Sequence, residues 1–203
     1  MSINEAGDST QTSRSRLLNA GKTLFAKNGY EQTSTAAIAR EAGSSESQLI
    51  RYFGGKAGLL EAVFNEAWSA LGTGLDEAIA NTAHGREAIL HILGLMIQAF
   101  NRDHDVAFLF LFEGRRMRSG SQEVLRSKGF LNFLAIVDAQ IARGQEDGSF
   151  RTDIDRRVLA SAMQGCAEGM VRDRVMAERN RVEHTLSDEA IQKTFAAVVN
   201  GLA

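Results

Sequence analysis

Side chains able to ligate a metal or attack a bond are few and scattered in this sequence. The four histidines, His84, His91, His104 and His184, show no metal-site spacing and no second ligand class beside them. Gly54-Gly55-Lys56 is superficially like a phosphate loop. It lacks the first glycine at the required distance, the Ser or Thr after the lysine, and a preceding strand. Cys166 stands among Ala, Gly and Met, as a small buried hydrophobe does, and no dinucleotide-binding glycine pattern occurs. The reading therefore contains no catalytic residue, no metal and no cofactor.

A second group of residues offers hydrogen bonding without bond making. Glu46, Ser47, Gln48, Ile50 and Arg51 fall on the outer side of a short helix from Glu46 to about Phe53, because Leu49 and Phe53, four apart, share its inner side. Such side chains match base edges. Gln pairs with adenine in bidentate fashion, Ser bonds either way, Arg meets guanine or a phosphate, and Ile touches a thymine methyl.

The preceding segment must position them. Thr33 or Ser34 caps a helix over about 35–42, in which Ile38 and Ala39 face inward. Gly43 allows the left-handed backbone that stops this helix and turns the chain. Ser45 restarts it, with Gln48 three residues later completing a capping box. Two short helices on a tight glycine turn form a helix-turn-helix, with the motif at about 34–53, whose second helix enters the DNA major groove. An earlier helix carries Leu17, Gly21, Leu24 and Phe25 on one face and ends near Asn28-Gly29.

Beyond Lys56 the predicted helices lengthen, to 57–80, 85–102, 105–117, 122–144, 153–179 and 187–201. Proline is absent, strand-like alternation is scarce, and glycines supply the punctuation. The expectation is an all-α chain in three parts. Residues 1–12 form a polar, disordered tail, 13–58 a three-helix DNA-binding domain, and 59–203 a larger helical domain for ligand binding and dimerisation.

Charge and cysteine usage agree. The net charge of −2 hides a basic head: residues 11–56 carry seven basic and three acidic side chains, whereas the first ten residues are −2 and the remainder −4. That asymmetry steers one end towards a polyanion. A single cysteine rules out an internal disulfide and fits a reducing compartment. The longest apolar run, Val106 to Phe112, falls far short of the roughly 20 residues of a membrane span. A cytoplasmic protein with no membrane partner is expected.

The run Leu24-Phe25-Ala26-Lys27-Asn28-Gly29-Tyr30, followed by Thr33-Ser34, Ile38-Ala39, Ala42-Gly43, Ser45, Leu49, Tyr52-Phe53, Lys56 and Leu59-Leu60, resembles the DNA-binding domain of TetR-type repressors over roughly residues 14–64. The resemblance implies a two-fold dimer on a palindromic operator, a diverging ligand-binding domain, and repression relieved by a small molecule. It places phosphate contacts on Thr33 or Ser34, Tyr52 and Lys56. With the base-facing group, the candidate DNA-contacting set is Thr33, Ser34, Thr35, Ser45, Ser47, Gln48, Arg51, Tyr52 and Lys56. Three positions depart from the pattern. Ile50 replaces a usual tyrosine, Ser44 a small apolar turn residue, and Glu46 a common Lys or Arg. Glu46 repels phosphate unless it accepts from a cytosine amine.

In the body, Met96, Phe100, Phe108, Phe112, Phe133 and Met163 are large apolar candidates for a pocket, with Gln164 and Glu168, one turn apart, as polar anchors. Glu113 beside Arg115 and Arg116 is a second anchor group. An apolar stripe through Ile191, Phe195, Val198 and Leu202, with Ala162, Gly165 and Gly169 on the preceding helix, makes a candidate dimer interface. The favoured reading is a homodimeric repressor that leaves double-stranded DNA on binding an apolar or amphipathic effector. The alternatives are an activator or co-repressor-dependent regulator, and a helical small-molecule-binding protein with weakened DNA binding.

Overall fold

The computed structural model describes residues 12–114 and 127–202. Most of the expected tail, Arg115 and Arg116, the end of the helix expected at 105–117 and the start of that expected at 122–144 lie outside the described residues. Among the described residues every regular element is helical, and no helix is long and apolar enough to cross a membrane. The chain divides into two compact units, the first ending at Val63 and the second beginning at Phe64.

The first unit contains α1 (Ser13–Asn28), α2 (Thr35–Glu41), α3 (Glu46–Phe53) and the start of α4 (Lys56–Ala80). Short polar side chains start its helices. The Thr12 hydroxyl accepts from the Ser15 amide, Ser34 from Ala37 and Ser45 from Gln48, each satisfying an orphan first-turn donor. Gly43, at φ 55°, makes the turn between α2 and α3. The α1–α3 helices pack on one another around Leu17, Phe25, Ile38 and Leu49, all fully buried. Leu59 of α4 closes on Gly21, where a Cβ would stand 2.6 Å from its Cδ2.

The second unit continues α4 and adds α5 (Gly85–Arg102), α6 (His104–Phe108), α7 (Lys128–Glu146), α8 (Arg156–Asn180) and α9 (Asp188–Asn200). The end of α6 runs into a π-helical turn, Leu109–Glu113, closed by the Gly114 amide donating to the Leu109 carbonyl at 2.9 Å. Helix α5 packs on α7 and α9, and α8 packs on α7 and α9. Arg174 of α8, only 4% exposed, donates to Asp188 at the start of α9 and to Asn101 of α5. Asn101 donates in turn to the other Asp188 oxygen at 2.7 Å. A buried cation is tolerated when paired and hydrogen-bonded in this way, and three helices share the clamp.

Helices α5 and α7 meet backbone to backbone. A Cβ on Gly85 would lie 2.3 Å from the Gln140 carbonyl oxygen and 2.4 Å from the Gly144 amide. The Gly85 amide donates to Asp147 Oδ2 at 2.8 Å. Burial alone would raise the Asp147 pKa. Hydrogen bonds from Ser149 and Gly85, with His84 nearby, outweigh it and hold the carboxyl at about 2. A depressed pKa means that its stabilisation is complete above the ordinary carboxylate range and is lost as pH falls through about 2. Gly85→Ala should lower urea-unfolding stability by about 1–3 kcal/mol. Gly94→Ala, with nothing within 4 Å of the new Cβ, should lose none. Between pH 5 and pH 2, Asp147→Asn should lose less stability than the wild-type chain in the same assay.

Candidate functional site

The first unit presents one polar surface, built from the starts of α2 and α3. Ile50 is 57% exposed, and Glu46, Ser47, Arg51 and Tyr52 are exposed beside it. Buried Leu49 holds the opposite side of α3 against the unit. Several outward groups are already organised by one another. The Ser44 hydroxyl donates to Gln48 Oε1 at 2.6 Å, Ser45 and Ser47 share a bond of 2.9 Å, and Thr35 donates to Glu46 Oε2 at 2.5 Å. The Arg51 guanidinium lies 4.9 Å from the centre of the Tyr52 ring and donates to its hydroxyl. Only half of the expected capping box appears, because the Gln48 side chain turns to Ser44 instead of back to the Ser45 amide.

Several of the expected DNA contacts also bond within the unit. Thr33 is 2% exposed, and its hydroxyl donates to the carbonyls of Gly29 and Leu24 at 2.8 and 3.2 Å. It therefore ties the loop to the end of α1, and Ser34 is the exposed member of the pair. Thr35 has its only proton on Glu46. Lys56 is half-buried. Its ammonium sits over the Tyr30 ring, 4.4 Å from the centre, and donates to the carbonyls of Tyr30 and Glu31. An ammonium has three protons, so these two carbonyls fix its place without exhausting it. Arg16 is a positioning residue too, donating to the Ala42 carbonyl at the end of α2, where a cation suits the helix dipole.

The second unit holds a partly open cavity of about 170 Å³, against the roughly 10–15 Å³ a single water needs. Its wall brings together Met96, Phe100, Phe133, Met163, Gln164 and Glu168. Phe108 and Phe112 are not on it. They stack on each other at 4.7 Å, with the Arg179 guanidinium 3.8 Å from the Phe108 ring centre. Phe110 supplies the wall instead, because two residues along a helix is about half a turn. Glu113 is buried on the π-helical turn and does not line the cavity.

Phe64 and Trp68 on α4, and Ile89 and Ile92 on α5, also line the cavity and were not singled out from sequence. The helical repeat of Phe64, Trp68, Leu71 and Leu75 carried the signal for α4. Trp68 is the hub, with ring centres of Phe110 and Phe133 at 4.7 and 4.8 Å. Gly129 makes room for it, since a Cβ there would stand 2.4 Å from the Trp68 Cβ.

The expected dimer residues divide between two environments. Ile191 and Phe195 are buried within the second unit, and Phe195 reaches the cavity wall; neither side chain is open to a second copy. Ala162, Gly165 and Val198 are exposed, while Gly169 and Leu202 are half-buried. A Cβ on either Gly165 or Gly169 would meet nothing within 4 Å. Val158 and Met176 extend the exposed side of α8.

Comparison with known proteins adds three findings. The sequence pattern described as bacterial regulatory proteins, tetR family, matches residues 17–63, and that described as YsiA-like protein, C-terminal region, matches residues 64–197. The fatty acid metabolism regulator protein of Bacillus subtilis (strain 168) is 24% identical over 189 residues, covering 91% of this chain and 95% of that protein. The HTH-type transcriptional repressor KstR2 of Rhodococcus jostii (strain RHA1) is 24% identical over 142 residues, covering 70% of each. Among solved structures, the transcriptional regulator FadR from Bacillus subtilis in complex with stearoyl-CoA aligns with a TM-score of 0.80 at 20% identity, covering 93% of this chain and 98% of that one. These relatives are regulators, not enzymes.

Lys56→Met keeps the stem and removes the charge. It should weaken DNA binding for every sequence alike and reduce the slope of log affinity against log salt by about 0.9, read by fluorescence anisotropy. Thr33→Val should instead lower unfolding stability by about 1 kcal/mol, because it removes the hydroxyl proton shared by the Gly29 and Leu24 carbonyls.

Proposed function

The chain belongs to the tetR family of bacterial regulatory proteins, and from that premise we propose that it is a homodimeric repressor released from a palindromic operator by a fatty acyl thioester. The observation that carries the ligand class is the cavity. Its wall is mostly apolar and ring-lined, with Ser127 and, one turn apart on α8, Gln164 and Glu168 as polar side chains. Such a wall suits a long alkyl chain, and the polar pair suits the carbonyl and amide groups at its head. A relative that regulates fatty acid metabolism and a fold neighbour solved with stearoyl-CoA support the same class.

Two copies pair through the outer side of α8 and through α9. Val158, Ala162, Gly165, Gly169 and Met176 recur there at helical spacing, and the two glycines leave open space for a second helix. The dimer gives the two α3 helices the two-fold symmetry of a palindrome. Helix α4 contains both Lys56 and the cavity-lining Phe64 and Trp68. A ligand that displaces these rings displaces that helix and alters the spacing of the two α3 helices. Ligand and operator then weaken each other by the same factor.

The test is operator release. Duplexes selected from a random pool by the purified protein should be palindromic, and stearoyl-CoA should release them in an anisotropy titration. Ala167→Phe, which fills the cavity from its α8 wall, should require at least about tenfold more ligand while binding DNA as before. Tighter DNA binding on adding the thioester would mark a co-repressor. Unchanged affinity at saturation would dismiss the ligand class.

A further inference from the structure

An acid at the tip of a DNA-reading helix is a liability unless it has something to accept. Glu46 is the first residue of α3 and Thr35 the first of α2, so their hydrogen bond joins the two helix starts. In a helix-turn-helix this is the edge presented to the duplex, with the N-terminal residues of the second helix against base edges. Double-stranded DNA carries a negative charge for each roughly 1.7 Å of axis, and a carboxylate aimed at that backbone opposes binding. Glu46 is exposed all the same, and among the described residues no lysine or arginine forms an ion pair with it.

The Thr35 bond determines how the carboxylate points. Thr35 spends its proton on Oε2 at 2.5 Å, which anchors one oxygen to α2 and leaves Oε1 as a pure acceptor. In the major groove, guanine offers two acceptors, thymine an acceptor and a methyl, and adenine a donor flanked by its N7 acceptor. Cytosine offers the N4 amine alone. From these observations we infer that Glu46, positioned by Thr35, is a specificity-determining residue that selects cytosine at one symmetric position in each operator half-site. This rests on the palindromic DNA-binding reading above. The neighbouring groups set a complementary bias. Gln48 has its oxygen occupied by Ser44, so its amide protons face acceptor-bearing bases, and the exposed Ile50 side chain suits a thymine methyl.

A purely structural role for this bond, an acid favoured at a helix N-terminus and clasped to α2, predicts no base preference. Glu46→Gln separates the two. Its carbonyl oxygen still accepts from Thr35, so the clasp survives, but the free acceptor becomes an NH₂ donor. The experiment is selection from a random duplex pool with wild type and Glu46→Gln in parallel. Anisotropy then follows on the wild-type consensus and on duplexes with each symmetric cytosine changed to thymine, which replaces the N4 amine by an O4 acceptor. The inference expects a symmetric cytosine in the wild-type consensus whose change to thymine costs wild type on the order of tenfold in affinity. The same change should cost Glu46→Gln little or favour it, and Thr35→Val should lie between. The thymine series on wild type needs no variant to fold. A wild-type consensus without such a cytosine, or the same penalty in wild type and Glu46→Gln at every position, overturns the inference and leaves the regulator reading intact. Failure of the wild-type chain to enrich any sequence overturns both.

Discussion

Five aromatic rings, those of Phe64, Trp68, Phe110, Phe130 and Phe133, converge in the second unit without filling the space between them. Rings are rigid and large, so their part of the wall relaxes inward less than the aliphatic side chains beside them, and the atoms facing the space lack dispersion partners. A largely apolar cavity of this kind accepts apolar matter. A ligand that restores those contacts binds only the folded chain and stabilises it by mass action. Several features of the second unit border the cavity or brace its helices. Gly129 lets α7 approach Trp68 closely, the π-helical turn brings Phe110 and Leu111 to the wall, and Arg174 ties α5, α8 and α9 together at one end.

Helix α8 presents two different surfaces. Ala160, Met163, Gln164, Ala167, Glu168 and Val171 line the cavity, while Val158, Ala162, Gly165 and Met176 lie exposed. In the proposed reading the inward side supplies bulk and polar anchors to a ligand, and the small Ala162 and Gly165 on the outward side admit another helix. Helix α4 is divided along its length instead. Leu59 and Leu60 are buried in the first unit, and Phe64 and Trp68 in the second.

The helix-turn-helix was legible in the sequence because its signals are local. Ser34, Gly43, Ser45 and Leu49 act within a few residues of themselves, through a cap, a left-handed turn and an inward anchor, and each is found in that role. The helices of the body were legible for a similar reason, since apolar spacing and glycine punctuation need no partner. Their inward sides were harder to read. In α9 the stripe of Ile191, Phe195 and Val198 is apolar throughout, and only packing against α5 and α8 decides that the first two turn inward. In the run of phenylalanines, residues 108, 110 and 112 are chemically equal, and tertiary packing sends Phe110 to the cavity and the other two elsewhere. The same limit hid the hydroxyl partners of Thr33 and Thr35, which lie across a turn or on another helix.

Reciprocity between the cavity and the operator is the central claim, and the chain carries its own reporter. Trp68, the one tryptophan of the sequence, stands in the cavity wall. The most direct measurement is a titration of Trp68 fluorescence with stearoyl-CoA, in the absence of DNA and again with saturating operator duplex. Coupled sites predict that operator weakens the ligand by the same factor by which ligand weakens the operator. Identical titration curves with and without DNA would contradict it.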